Sequence, residues 1–309
     1  MANGKIGVLV MSYGTPESMD GIEEYYTHIR RGHAPTPEQL AELSSRYEAI
    51  VGGVFPLREN TNRQVAGLQA ALDAAAPGRY SCYQGLKHAR PYIEDGVTAM
   101  EADGIKHAVG IVLAPHYSTM SVGSYMKRAQ EKAEEFGIQF ATVDSYHTHP
   151  KLIEALVTRV KTAYEALQDV QPVKVLFSAH SLPVKIREMD DPYEQQLLET
   201  SKLVADGAGV TDWQFTWQSA GRTREPWLGP DILETMKETA AAGYKGVLAA
   251  PIGFVSEHLE VLYDVDIEAQ AEARELGIKL QRIEMLGTDP LYMDTLADSV
   301  QDAARAVFA

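Results

Sequence analysis

The chain has 309 residues, 45% hydrophobic and 23% charged, enough for a sizeable core and for two domains or one large α/β domain. With 43 acidic and 28 basic residues the formal net charge is −15, which argues against a nucleic-acid binder and against general attraction to anionic membranes, while leaving room for a local basic pocket for an acidic small molecule. The single cysteine, Cys82, excludes an intrachain disulfide, a Cys-based zinc finger and a protein-held iron–sulfur cluster.

The opening stretch, MANGKIGVLVMSYGTP, enters a strand almost at once. It has neither the apolar length nor the small-residue cleavage site of a signal peptide, and no apolar run approaches the roughly 18 residues of a transmembrane helix. A soluble cytoplasmic protein is expected. IGVLVMSY (6–13) reads as a buried strand running into Tyr13. YYTHIRRGHAPTP (25–37) puts Arg30 and Arg31 at a helix end before a glycine, either as a charge pair favoured by the helix dipole or as carboxylate-recognising groups. TPEQLAELSSRYEAI (36–50) predicts a helix with Thr36 as N-cap and Pro37 in its first turn, carrying Arg46 and Tyr47 near its end. The following Gly52–Gly53 is no phosphate loop, because neither G-x-x-x-x-G-K-[ST] nor G-x-G-x-x-G occurs. AVGIVLAP (108–115) predicts a second strand, and SYHTHP (145–150), with His147 and His149, a loop. A helix, LIEALVTRVKTAYEAL (152–167), precedes the strand VKVLFSAH (173–180), which ends on His180. WQSAGRTREPWLGPD (217–231) reads as an ordered loop with an aromatic wall, and GVLAAPIGF (246–254) as another buried strand. A helix is expected to start near Ser256, with Glu257 and His258 in its first turn, and DPLYMDTLADSVQDAARAVF (289–308) predicts the final helix.

Continuous apolar strands separated by amphipathic helices imply parallel sheets covered on both faces, in a doubly wound arrangement. The chain also repeats itself. VLVMSYGTP (8–16) aligns without a gap on VLFSAHSLP (175–183), so that Tyr13 falls on His180. EDGVTAMEADGIKHAVGIVLAP (94–115) resembles PDILETMKETAAAGYKGVLAAP (230–251). The repetition predicts two similar Rossmann-like α/β domains with a cleft between them: residues 1–160 completed by 290–309, and residues 161–289. Ligands of open parallel sheets sit beyond the carboxyl ends of the strands, where both Tyr13 and His180 fall.

Glu260, Asp264 and Glu268 are spaced i, i+4, i+8 and so share one face of an α-helix. Like charges at that spacing repel, and no lysine interrupts the row. It is either a solvated acidic face or a track of carboxylates for a cation; oxygen ligands with one imidazole suit Fe(II), Mn or Zn, and an all-oxygen outer end suits Mg. His180 is either a hydrogen-bonded core histidine or, opposite such a helix, a base or metal ligand near neutral pH.

VLFSAHSLPVKIREMDDPY (175–193), WQS…PWLGPD (217–231) and GFVSEHLEVLYDVDIE (253–268), in that order and spacing, resemble the ferrochelatase family. The resemblance covers nearly the whole chain. SYGTP, YYTHIRRG, GLKH (85–88) and LAPHYSTMSVGSY (113–125) are similar to its shorter, Gram-positive group, whose substrate is coproporphyrin III. The resemblance implies a metal chelatase of haem biosynthesis, a lyase with Fe(II) as substrate and no tightly bound cofactor. It implies that His180 and Glu260 are the catalytic pair that handles the entering iron, and that Tyr13 is the axial ligand of the product iron. Arg30, Arg31, Arg46, Tyr47 and Tyr125 are then contacts to the porphyrin, Asp264 and Glu268 an outer cation site suited to Mg2+, and Lys87 and His88 pocket residues. The implied partners are coproporphyrin III, Fe(II) and, transiently, the enzyme that processes coprohaem; a monomer is expected. Two departures stand out. Phe55 takes the place of a serine that contacts a propionate, with one residue inserted upstream, and Asp190 replaces the glycine usual before Asp-Pro-Tyr. Alternatives of other kinds are a protoporphyrin IX ferrochelatase, a cobaltochelatase acting on a corrin precursor, a non-catalytic porphyrin or haem carrier, and a two-domain solute-binding protein.

Overall fold

The computed structural model describes residues 4–50, 55–221 and 223–308; Gly52, Gly53 and the insertion before Phe55 lie outside the described residues. In chain order the elements are β1 (Ile6–Ser12), α1 (Ile22–Ile29), α2 (Pro37–Ile50), α3 (Pro56–Ala75), β2 (Tyr80–Leu86), α4 (Ile93–Ala102), β3 (His107–Val112), α5 (Val122–Glu135), β4 (Gln139–Val143), α6 (Pro150–Glu165), β5 (Val173–His180), α7 (Tyr193–Ala208), β6 (Trp213–Gln218), α8 (Ile232–Ala241), β7 (Gly246–Ala250), α9 (Leu259–Leu262), α10 (Gln270–Leu276), β8 (Lys279–Arg282) and α11 (Pro290–Phe308). A π-helical segment, Asp264–Ala269, joins α9 to α10. Among the described residues no helix is long and apolar enough to cross a membrane.

The chain forms two compact units: residues up to Pro115 with Thr119–Tyr146 and those from Gly287 on, and His116–Ser118 with His147–Leu286. Each has one four-stranded sheet, and all strand pairs are parallel. The orders are β2-β1-β3-β4 and β6-β5-β7-β8, the same topology twice. The continuous apolar runs follow from this: every residue of β1 and of β7 is buried, as strands covered on both faces require. The helices α4 and α8, equivalent in the repeat, begin alike. The Asp95 carboxylate accepts from the Tyr92 backbone N–H at 2.8 Å, and Glu234 accepts from that of Asp231 at 3.4 Å.

Four boundaries depart from the sequence reading. The run 108–115 holds a strand only to Val112, and the run 246–254 only to Ala250, where Pro251 brings no N–H to the ladder. α6 buries Leu152, Ala155, Leu156 and Val160 and packs on α7, β7 and β8, so residues 147–160 belong to the second unit; the division falls near residue 146. Finally, the helix expected from Ser256 starts only at Leu259, since His258 is extended (φ −162°, ψ −178°), and it does not stay α-helical. The Glu268 N–H reaches back to the Tyr263 carbonyl at 2.9 Å, an i→i−5 bond.

Candidate active site

In an open sheet of order 2-1-3-4 the direction of winding reverses between the first and third strands, and the crevice beyond their carboxyl ends is the natural ligand site. In the second unit that point lies between β5 and β7. His180 is the last residue of β5, and the chain leaving β7 leads through 251–258 to Glu260. Gly253 makes this approach possible. A Cβ there would lie 2.3 Å from the Ala179 Cβ, and the Gly253 N–H donates to the Ser178 carbonyl at 3.1 Å. The returning chain thus rests directly on β5.

The result is a histidine–carboxylate pair. His180 Nε2 lies 3.3 Å from Glu260 Oε1, and both side chains are one-third exposed. His180 Nδ1 donates to the Ser181 carbonyl, and the Tyr193 hydroxyl donates to the His180 carbonyl at 3.1 Å. A backbone carbonyl only accepts, so Nδ1 carries a proton and Nε2 is the nitrogen presented to Glu260. Burial opposes charge on His180, but the Glu260 carboxylate, the Ser181 carbonyl and Asp264 outweigh it and raise its pKa. Burial likewise opposes charge on Glu260, and His180 and His258 hold its carboxyl well below the usual range.

Glu260 has a second imidazole. His258 Nε2 lies 3.3 Å from Glu260 Oε2, with its Nδ1 donating to the Ser256 carbonyl at 2.9 Å. Two residues apart on a helix they would point away from each other; the extended backbone at His258 brings them together. Gln218, at the end of β6, donates to the Glu260 carbonyl at 2.7 Å while accepting from Ser178 at 2.9 Å. Ser219, held at φ 60°, donates to Asp264. Arg282, at the end of β8, binds Asp266 through Nε and Nη2 and also Glu257. Gln218, Ser219 and His258 lie inside the quoted blocks WQS…PWLGPD and GFVSEHLEVLYDVDIE without being singled out as site residues, and Arg282 lies outside every quoted block.

The row Glu260, Asp264, Glu268 is not the α-helical face expected, because Asp264 and Glu268 lie in the π segment. The effect is favourable to a row. At 3.6 residues per turn each step of four drifts by about 40°, whereas a π turn, with more than four residues, drifts back. Among the described residues no three His, Cys, Asp or Glu side chains gather closely enough to hold a metal on their own.

In the first unit the equivalent point is the end of β1, and Tyr13 follows it, 40% exposed. Gly14 at φ 85°, where a Cβ would lie 2.9 Å from Leu86 Cβ, turns the chain away. The Tyr13 ring lies 4.6 Å from the His88 ring, and the His88 N–H donates to the Tyr13 carbonyl at 3.0 Å. Lys87 donates to Ser124 at 2.7 Å and sits 4.6 Å over the buried ring of Tyr125. Burial and then Arg128 push its pKa down to about 8. Burial, with Lys87 beside it, pushes His88 down to about 3, so that ring is neutral near pH 7. Its Nδ1 is 2.9 Å from that of His28. Arg30 donates to the His33 carbonyl at 3.1 Å, Arg31 is an exposed left-handed residue (φ 56°), and Arg46 pairs with Glu42 at 3.6 Å. Tyr47 and Phe55, each 2% exposed, pack ring on ring 5.0 Å apart. Phe55 is therefore packed in an aromatic pair and has no group with which to replace a serine contact.

Two parallel four-stranded sheets of the same order, each flanked by helices, define an α/β protein of duplicated, Rossmann-like topology. Its fold is similar to that of the sirohydrochlorin chelatase SirB from Bacillus subtilis subspecies spizizenii in complex with cobalt (TM-score 0.60, 12% identity, 98% of this chain and 96% of that one). It is also similar to CbiX, the terminal enzyme for biosynthesis of sirohaem in denitrifying bacteria (TM-score 0.53, 12% identity, 96% and 99%). The chain belongs to the ferrochelatase family, whose model matches residues 5–304. It is 46% identical over 305 residues to the coproporphyrin III ferrochelatase of Bacillus subtilis strain 168, covering 97% of this chain and 98% of that one. It is 47% identical over 308 residues to coproporphyrin III ferrochelatase 1 of Bacillus anthracis (98% and 99%), and 46% identical over 298 residues to a ferrochelatase of Herpetosiphon aurantiacus (95% and 97%).

Proposed function

We propose that this protein inserts ferrous iron into coproporphyrin III, releasing the two pyrrole protons and forming iron coproporphyrin III for haem biosynthesis. The observation that carries this reading is the His180–Glu260 pair, 3.3 Å apart at the switch point of the second unit, in a chain 46% identical to a curated coproporphyrin III ferrochelatase.

A planar porphyrin shields its nitrogen lone pairs, so it is bound distorted, and a base takes protons on the side where metal arrives. With Nδ1 engaged, Nε2 of His180 is the transient ligand, and once the metal has passed to the porphyrin the freed Nε2 and Glu260 take the two pyrrole protons. The proton it shares with Glu260 leaves as iron binds, and His258, on the other carboxylate oxygen, offers the way out. Asp264 and Glu268 extend the donors away from Glu260. Two carboxylates with water completing the shell also match the way Mg2+ is bound, and they serve as the outer cation site.

Tyr13 would offer its hydroxyl oxygen to the product iron, and Arg30, Arg31 and Arg46 would contact the porphyrin, with Tyr47 and Tyr125, 2% and 5% exposed, supporting that wall from beneath. Lys87 and His88 line the pocket; Phe55 contributes apolar surface behind Tyr47. Coproporphyrin III carries four propionates, and arginine is the residue best matched to carboxylates. The protein acts as a cytoplasmic monomer that passes its product to a coprohaem-processing enzyme. Anaerobic addition of Fe(II) to enzyme and coproporphyrin III, followed by the loss of porphyrin fluorescence, tests the reading: turnover is expected, and stoichiometric binding without turnover would make the protein a carrier.

A further inference from the structure

The inference rests on the proposed iron insertion and concerns Arg282, at the carboxyl end of β8. Its side chain is 14% exposed. Nε and Nη2 donate to the two oxygens of Asp266 at 2.8 Å each; Nη1 and Nη2 donate to Glu257 at 3.2 Å; Nη1 also donates to the Ile283 carbonyl at 2.9 Å. The whole guanidinium fork is committed.

Neither carboxylate belongs to the Glu260–Asp264–Glu268 row. Glu257 stands just before it, and Asp266 stands in the π segment between Asp264 and Glu268. A π turn survives where its surroundings fix it. Val265 and Ala269 fix one side, buried with Leu176, Met236 and Val247. Arg282 fixes another, tying the entry of the helix and the middle of its bulge to one strand end. β8 pairs with β7, whose own exit leads to Glu260, so the brace and the braced segment share a rigid base.

We propose that Arg282 is a positioning residue for metal uptake: by bridging Glu257 and Asp266 it holds Glu260, Asp264 and Glu268 at the spacing that receives the incoming metal, without touching metal or porphyrin. Outer partners of metal-binding groups typically change metal affinity by about 10- to 100-fold.

Two variants test it. Arg282→Lys keeps the charge, but an ammonium cannot bridge two carboxylates in this geometry. Arg282→Met with Asp266→Asn removes one charge of each sign and leaves the local net charge unchanged. Co(II) is titrated into the porphyrin-free enzyme by calorimetry, KM is measured separately for Fe(II) and coproporphyrin III, and Tm is recorded. Both variants are expected to weaken Co(II) binding and raise the Fe(II) KM by about 10-fold or more, with the porphyrin KM within about twofold of wild type. A folded variant with wild-type Co(II) affinity and Fe(II) KM, whatever its Tm, overturns the proposal; if one variant does not fold, the other decides. Should the wild type bind Co(II) yet insert no iron, the proposed function fails while the Co(II) comparison still judges Arg282.

Discussion

Gly253 lies so close to Ala179 that a methyl group on it would come within 2.3 Å of the Ala179 Cβ. This contact lets the chain leaving β7 lie on β5 on its way to Glu260. Gly253→Ala is expected to force the two segments apart, destabilising the protein by about 1–3 kcal/mol through overpacking. It is also expected to lower kcat for iron insertion by about 100-fold through misplacement. Denaturant unfolding and initial rates measure the two effects; a folded variant with undiminished kcat would mean that the contact does not position the pair.

Glu260→Gln removes the charge that sustains the His180 proton and one of the two groups proposed to handle the metal. Porphyrin binding, read by fluorescence, should stay near normal, while insertion falls by at least about 100-fold. Insertion at the wild-type rate would remove Glu260 from the mechanism.

The pair also predicts proton release on metal binding. The raised pKa of His180 means that a proton resides on it near neutrality in the metal-free protein. A metal at Nε2 must displace that proton, so affinity rises with pH until His180 titrates, and then levels off. Zn(II) added to porphyrin-free enzyme in weak buffer at pH 7 should release about one proton per metal from this group. Binding with no proton release and no pH dependence would contradict the assignment.

Stability should fall on the acid side for a different reason. His116 is 2% exposed; its Nε2 is 2.9 Å from Thr200 Oγ1, and its Nδ1 is buried without a protein partner. Burial pushes its pKa down to about 3, and that of His88 also falls to about 3. Below about pH 6.5 the unfolded chain takes up protons at both positions that the folded chain refuses until near pH 3. Each therefore removes about 1.4 kcal/mol of stability per pH unit across that window. His180, with its folded pKa raised, behaves oppositely: its contribution is complete below about 6.5 and is lost as pH rises through the folded value. His116→Gln should flatten the decline between pH 6 and pH 4, measured by urea midpoints. An unchanged slope would show that His116 titrates freely.

How much of this was legible beforehand depends on whether a feature is local in the chain. The apolar runs around Leu9 and Leu176 announce buried parallel strands, and their gapless alignment brings Tyr13 and His180 to equivalent strand ends, as the identical sheet orders bear out. The π segment was not legible, because Glu260, Asp264 and Glu268 at i, i+4, i+8 fit an α-helix equally well, and the bulge depends on tertiary ties such as Asp266–Arg282. The contact of His258 with Glu260 was hidden for a related reason: a helical assignment puts the two on different faces, and only the extended φ at His258 reverses that. Phe55 could be flagged as a departure, but its packing on Tyr47 needed the structure.

The most direct measurement is anaerobic Fe(II) insertion with coproporphyrin III and protoporphyrin IX side by side, with Glu260→Gln as control. Turnover of coproporphyrin III is expected well above that of protoporphyrin IX, and abolished by the substitution. Equal or greater turnover of protoporphyrin IX would contradict the substrate, and insertion that survives Glu260→Gln would contradict the site.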